Sequence, residues 1–197
     1  VTRGAALALK SRLLLYAASD LWNTESWAQG YSHPELIVLN KKDRKERWAE
    51  AAAAAKAVID LSAQAGYELM SRYTDLGKVY QSPELILVRR INGNTNTFEK
   101  LNFPAGFPNG EGRVTPSQNL VDAYEMTDGS KFDWNNPEHA ANPYANRDPR
   151  LALTVYMNGA SFQNTTIETF EGGAHKNIKN GTLTGYYLRK FVDSNIN

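Results

Sequence analysis

Cysteine is absent from the 197 residues. That single gap excludes disulfides, thiolate zinc sites and cysteine nucleophiles, although it leaves the compartment open. No apolar run approaches the ~20 residues of a membrane span. The longest, residues 13–18, follows Lys10, Ser11 and Arg12 and is not followed by a signal-peptide cleavage pattern. An excess of one charge is missing too: 22 basic residues meet 21 acidic ones, and the basic cluster at 41–45 is broken by Asp43. Without a basic stripe the chain lacks the electrostatic footprint of a nucleic-acid binder. His-Glu-x-x-His, Gly-x-Ser-x-Gly, the phosphate-binding Gly-x-x-x-x-Gly-Lys and Gly-x-Gly-x-x-Gly do not occur. His33, His139 and His175 are scattered, and no Asp-x-Asp-x-Asp-Gly loop is present, so neither a metal nor a cofactor is expected.

What is present is a composition near the globular average, 42% hydrophobic and 22% charged, which suits one folded unit with a core and not a disordered chain. The chain begins inside a helical pattern without an initiator Met, which reads as a processed or internal piece. Ala5, Leu9, Leu13 and Tyr16 follow one helical face and Leu7, Leu14 and Ala17 another, so this first helix should be covered on more than one side. A loop with Trp22, Trp27, Tyr31 and the breaker His33-Pro34 follows. A second helix is predicted over about 43–62, with a small-residue face that permits close helix approach and a Lys56/Asp60 pair outside.

From residue 67 the character changes. Residues 84–91 read as a strand, and 92–112 as a long loop rich in Gly, Asn, Pro and Phe. Thr115, Pro116 and Gln118 read as the N-cap, first position and capping-box partner of a helix ending at Asp128-Gly129. After a polar loop at 130–150, residues 151–157 alternate like a strand that stops at a hairpin signal, Asn158-Gly159. Segments 165–170 and 186–192 are further strand candidates. The fold class is therefore α+β, predominantly α-helical, with a helical part over 1–75 and a loop-rich mixed part with short β-strands over 76–197.

Five segments, taken in order, resemble the SusD/RagB family: RGAALALKSRLLLYAAS at 3–19 with Leu21-Trp22-Asn23, RWAEAAAAAKAVID at 47–60, TPSQNLVDAYEMTDG at 115–129, NRDPRL at 146–151 and TGYYLRKF at 184–191. The resemblance covers nearly the whole chain. It implies a tetratricopeptide-like helical scaffold and a loop-rich ligand-binding region. It also implies a nutrient-binding lipoprotein on the cell outer membrane of Bacteroidetes-type bacteria, sitting on a SusC-like TonB-dependent transporter. Family members are longer, so this chain corresponds to an internal fragment. It lacks the lipidated N-terminal region, and Ser19-Asp20 stands where the family often has Ser-Pro.

Sugar rings offer flat apolar faces and a rim of hydroxyls, which proteins meet with stacked aromatics and amide or carboxylate hydrogen bonds. The loops carry that chemistry at Trp27, Tyr31, Phe103, Phe107, Trp134 and Tyr144, with Asn23, Asn102, Asn109, Asn135, Asn136 and Asn142 nearby. Against this stands the plainer role of each aromatic, pinning its own loop to the scaffold. Asp148 with Arg147 and Arg150 reads as a structural cluster more than an anion clamp. Three functions follow. The first is capture of glycan or oligosaccharide without turnover. The second is a glycoside hydrolase using acids such as Asp133 and Glu138, which would have to face each other at ~5–10 Å. The third is an assembly module whose Trp48 face meets a protein.

Overall fold

A computed structural model describes residues 2–23, 30–37, 42–76, 79, 81–89 and 97–196. Two compact units divide the chain: Val1–Ser71 with Gln81–Ile91, and Arg72–Tyr80 with Asn92–Asn197.

The first unit is built on two helices whose ends are written locally. Helix α1 (Arg3–Ala18) starts at Thr2, whose hydroxyl accepts the Ala5 N–H at 3.1 Å. Helix α2 (Arg44–Ala65) starts at Asp43, whose carboxylate accepts the Lys45 N–H at 2.8 Å. These side chains satisfy amides that the first helical turn leaves unpaired. Helix α2 ends at Gly66, φ +70°, the left-handed position where a residue without a Cβ is favoured. The helices run antiparallel. The start of α1 meets the chain leaving α2 at Gly4, where a Cβ would fall 2.0 Å from the Tyr67 hydroxyl. The end of α1 meets the start of α2, where Arg47 donates to the Ala18 carbonyl and to Asp20. Ala5, Ala17, Ala18, Ala51 and Ala54 are buried in this unit. The expectation that α1 is covered on several sides is not met among the described residues: Leu9, Leu13, Leu15 and Tyr16 are each more than half exposed. No described helix is long and apolar enough to cross a membrane.

Among its described residues the second unit contains four short α-helices, α3 (Thr97–Asn102), α4 (Gln118–Asp122), α5 (Pro137–Ala141) and α6 (Pro149–Thr154). The same described residues hold four two-residue strands, β1 (Val155–Tyr156), β2 (Ser161–Phe162), β3 (Thr165–Thr166) and β4 (Tyr187–Leu188). Strand β1 pairs antiparallel with β4, Val155 opposite Leu188 and Tyr156 opposite Tyr187. Successive strand residues point to opposite faces, and this ribbon uses both. Val155 and Tyr186 join one cluster with Val121 and Leu151, while Tyr156 and Tyr187 join another with Phe103, Phe162, Ile167 and Val192. The β2–β3 hairpin turns through Gln163 and Asn164, both at positive φ, the geometry that matches strand twist in a two-residue loop.

Helix is the predominant regular structure and the strands are few and short, as the fold class anticipates. Several local expectations are corrected. Over 84–89 the chain makes turns and bends and no strand; 90–91 lie outside the described residues. Leu87 and Val88 there are 66% and 45% exposed, so the apolar run lacks the covered face that would fix it as a strand. The alternating segment 151–157 is helical up to Thr154, because Asp148 caps the helix through the Arg150 N–H and Pro149 occupies its first turn. Asn158-Gly159 is a turn, but β1 finds its partner in β4 and not across that turn. Segments 165–170 and 186–192 hold strand only at 165–166 and 187–188. Helix α4 is capped by Ser117, which accepts the Leu120 N–H at 3.3 Å, and not by Thr115.

Candidate ligand-binding surface

In the second unit the segment 122–147 brings polar and aromatic side chains together around Phe132. The Phe132 ring stacks on His139 at 5.4 Å, meets Trp134 edge-on at 4.9 Å, and receives the Arg147 guanidinium 4.2 Å from its centroid. Arg147 is itself buried and donates to the carbonyls of Val121, Tyr124 and Pro143 at 2.5–2.8 Å. It thus ties α4 and the chain after it to the loop that carries Tyr144. Burial pulls the Arg147 pKa down, yet guanidinium keeps its charge in proteins.

Trp134 stays 47% exposed while its Nε1 donates to Asp122 at 3.0 Å. Three further side chains extend that bond. The other Asp122 oxygen accepts from Gln118 at 2.8 Å, Gln118 accepts from the Tyr186 hydroxyl at 2.9 Å, and the Tyr186 and Tyr144 hydroxyls lie 3.2 Å apart. Tyr144 is 36% exposed, and burial of its phenol followed by the Tyr186 hydrogen bond pushes its pKa upward. Two exposed aromatic rings therefore stand at the ends of one hydrogen-bonded chain. An indole held by its N–H cannot spin about its side-chain bonds, so its apolar face is presented in one orientation.

Beside Phe132 lies an open groove of about 620 Å³, lined by Asp128, Ser130, Glu138, His139, Asn142 and Asn146 among others. Small-molecule sites commonly occupy about 300–1,000 Å³. Its donors and acceptors are pre-arranged. Ser130 donates to Asp128 through both N–H and hydroxyl, holding the Asp128 carboxyl below its ordinary pKa, and His139 Nδ1 accepts the Asp133 N–H at 3.1 Å.

The aromatics singled out from sequence fall into different places. Trp134 and Tyr144 share the surface just described. Phe107 packs edge-on against Phe162 at 4.8 Å and stacks on His175 at 4.7 Å, and Phe103, 3% exposed, is part of the core. Burial leaves the Phe103 ring no face for a ligand. Tyr31 is 52% exposed in the first unit, and Trp27 lies outside the described residues. Asn23 caps the end of α1, its amide donating to the carbonyls of Ala17 and Ser19. Sequence reasoning missed Asp122, Gln118 and Tyr186 as the groups that fix the exposed rings. Gln118 looked like a capping residue, and only tertiary contact brings Tyr186 to it.

No curated protein sequence matches the chain. Among solved structures, a SusD-like protein from Bacteroides fragilis NCTC 9343 superposes with a TM-score of 0.68 at 21% identity, covering 100% of this chain and 38% of its own. A SusD-like carbohydrate binding protein from the same organism superposes with a TM-score of 0.62 at 20% identity, covering 100% of this chain and 41% of its own. At these identities the likeness speaks for the fold, and the chain spans about two fifths of those proteins. Residues 83–197, more than half of the sequence and the part that carries the aromatic surface, match the SusD family. On that match, the chain belongs to the SusD family.

Proposed function

We propose that this chain is part of a cell-surface glycan-binding protein that captures oligosaccharide and delivers it to a SusC-like TonB-dependent outer-membrane transporter, without cleaving it. The lipoprotein anchor and the outer-membrane location belong to the same reading, as does the transporter as partner. Family membership supports it, and one structural neighbour is described as carbohydrate binding. The observation that carries it on this chain is the half-exposed indole of Trp134, braced by Asp122. A flat aromatic face held still, beside a groove of carboxylate, amide and hydroxyl groups, is the complement of a sugar ring.

Trp134 and Tyr144 are the ligand contacts in this proposal; Tyr31 and Trp27, expected from sequence, are proposed contacts independent of that surface. Phe107 and Phe103 act as packing around Phe162. The test is calorimetry and Trp fluorescence with a panel of neutral polysaccharides and oligosaccharides, with product analysis on the same samples. Saturable binding without new reducing ends, weakened at least tenfold by Trp134→Ala, is expected. Binding that ignores Trp134→Ala removes the proposed surface, and released product overturns the non-enzymatic reading.

A further inference from the structure

On the second unit, sharing no lining residue with the groove beside Phe132, lies a small cleft lined by Tyr73, Thr74, Tyr156, Arg189, Lys190 and Ser194, with Leu153 and Val192 among its apolar lining. Its lining contains two cations and no carboxylate. None of the ion pairs among the described residues involves either cation. Asp75 and Asp148 are paired with Arg72 and Arg150, and Asp193 accepts from Asn195.

The cations are held by aromatic rings instead. The Arg189 guanidinium lies 5.1 Å from the Tyr156 ring centroid, with one Nη donating to the Ala152 carbonyl at 2.8 Å. The Lys190 ammonium lies 5.0 Å from the Tyr73 ring and 5.1 Å from the Phe191 ring. Phe191 has φ +68°, a conformation rare for a bulky residue and one that accumulates at functional sites. Ring faces orient a cation while leaving its hydrogen-bond donors for another partner. Hydrogen bonding from Lys190 is also the main cause that holds the Tyr73 phenol below its ordinary pKa, with Thr154 next.

We propose that this cleft binds a small oxyanion, the sulfate, phosphate or carboxylate group of a charged ligand, between Arg189, Lys190 and the Tyr73 hydroxyl. Its volume, about 90 Å³, is far below what a ring-sized ligand requires and suits a single charged substituent. The guanidinium and ammonium supply charge-assisted donors, and the hydroxyls of Thr74 and Ser194 lie among the lining groups.

The inference does not depend on the glycan reading, and the test keeps them apart by using probes that lack a neutral sugar face. Sodium sulfate, inorganic phosphate and acetate are titrated by calorimetry into the full chain, with chloride holding ionic strength constant. Saturable binding of at least one probe is expected, weakened tenfold or more in Lys190→Met and in Tyr73→Phe, and unchanged in the exposed control Lys179→Met. Binding of sulfate and phosphate alone assigns a tetrahedral group, and binding of acetate assigns a carboxylate. Bound anion should also raise the titration of the Tyr73 phenol, read by ultraviolet difference against Tyr73→Phe, so a folding defect in one variant leaves a second readout. No saturable binding of any probe, or equal affinity in wild type and Lys190→Met, overturns the proposal.

Discussion

Asp122 holds the exposed indole of Trp134 with one carboxylate oxygen and the Gln118 amide with the other. Removing that carboxylate should free the ring without unfolding the unit. Asp122→Ala is expected to raise Trp134 mobility, seen as lower fluorescence anisotropy, and to weaken glycan binding about five- to tenfold. A variant that keeps full affinity would show that the indole needs no brace.

Arg147 is the mechanical centre of the same region. Arg147→Met keeps the stem but strands the carbonyls of Val121, Tyr124 and Pro143. Leaving such groups unpaired should lower stability by about 3 kcal/mol, read as a reduced urea midpoint. Arg147→Lys should recover only part of this, because an ammonium cannot span the positions reached by a planar fork.

His175 gives the second unit a pH dependence. Its Nδ1 accepts the Glu168 N–H at 3.0 Å, and burial lowers its pKa against the opposing pull of the Glu168 carboxylate. As pH falls through about 6.5 the unfolded chain takes up this proton before the folded one does, so stability should decline as pH drops below about 7 and level off once the folded form is protonated too. Asp20, Asp128, Asp148 and Glu171 have lowered pKa values, and their contributions are lost only at more acidic pH. His175→Asn retains an acceptor for Glu168 and should flatten the slope in urea titrations; an unchanged slope assigns it to another group.

The cap of α4 separates two readings of the same sequence. Ser117→Ala should cost about 1 kcal/mol and Thr115→Ala a few tenths at most, measured by the same unfolding curves. The reverse order would restore Thr115 as the cap.

How much could be read beforehand follows from the range of the forces involved. Helices α1 and α2 were legible because periodicity, Asp43 and the run of alanines are local. The strands were legible only in part: β1, β3 and β4 fall inside expected segments, but their two-residue extent and the β1–β4 pairing across more than thirty positions are set by tertiary contact. Leu151 to Thr154 alternated like a strand while Asp148-Pro149 spelled a helix start, and the local cap won. At the surface, Trp134 and Tyr144 were found by residue type. Phe103 was chosen on the same grounds, and only packing shows that it is core. The hydrogen-bonded groups behind the exposed rings come from 118, 122 and 186, a constellation that no sequence window contains.

The buried alanines of the first unit carry a consequence for the order in which the protein comes apart. Each contributes one methyl to the interior, where the aromatic clusters of the second unit contribute whole rings, and burial energy scales with that area at roughly 25 cal/mol per Å². Close approach and strong cohesion are different properties, and the helix pair has more of the first. Its amides should open to hydrogen exchange at lower free energy than those of Tyr156 and Tyr187, making the helical hairpin the early-yielding segment of the chain.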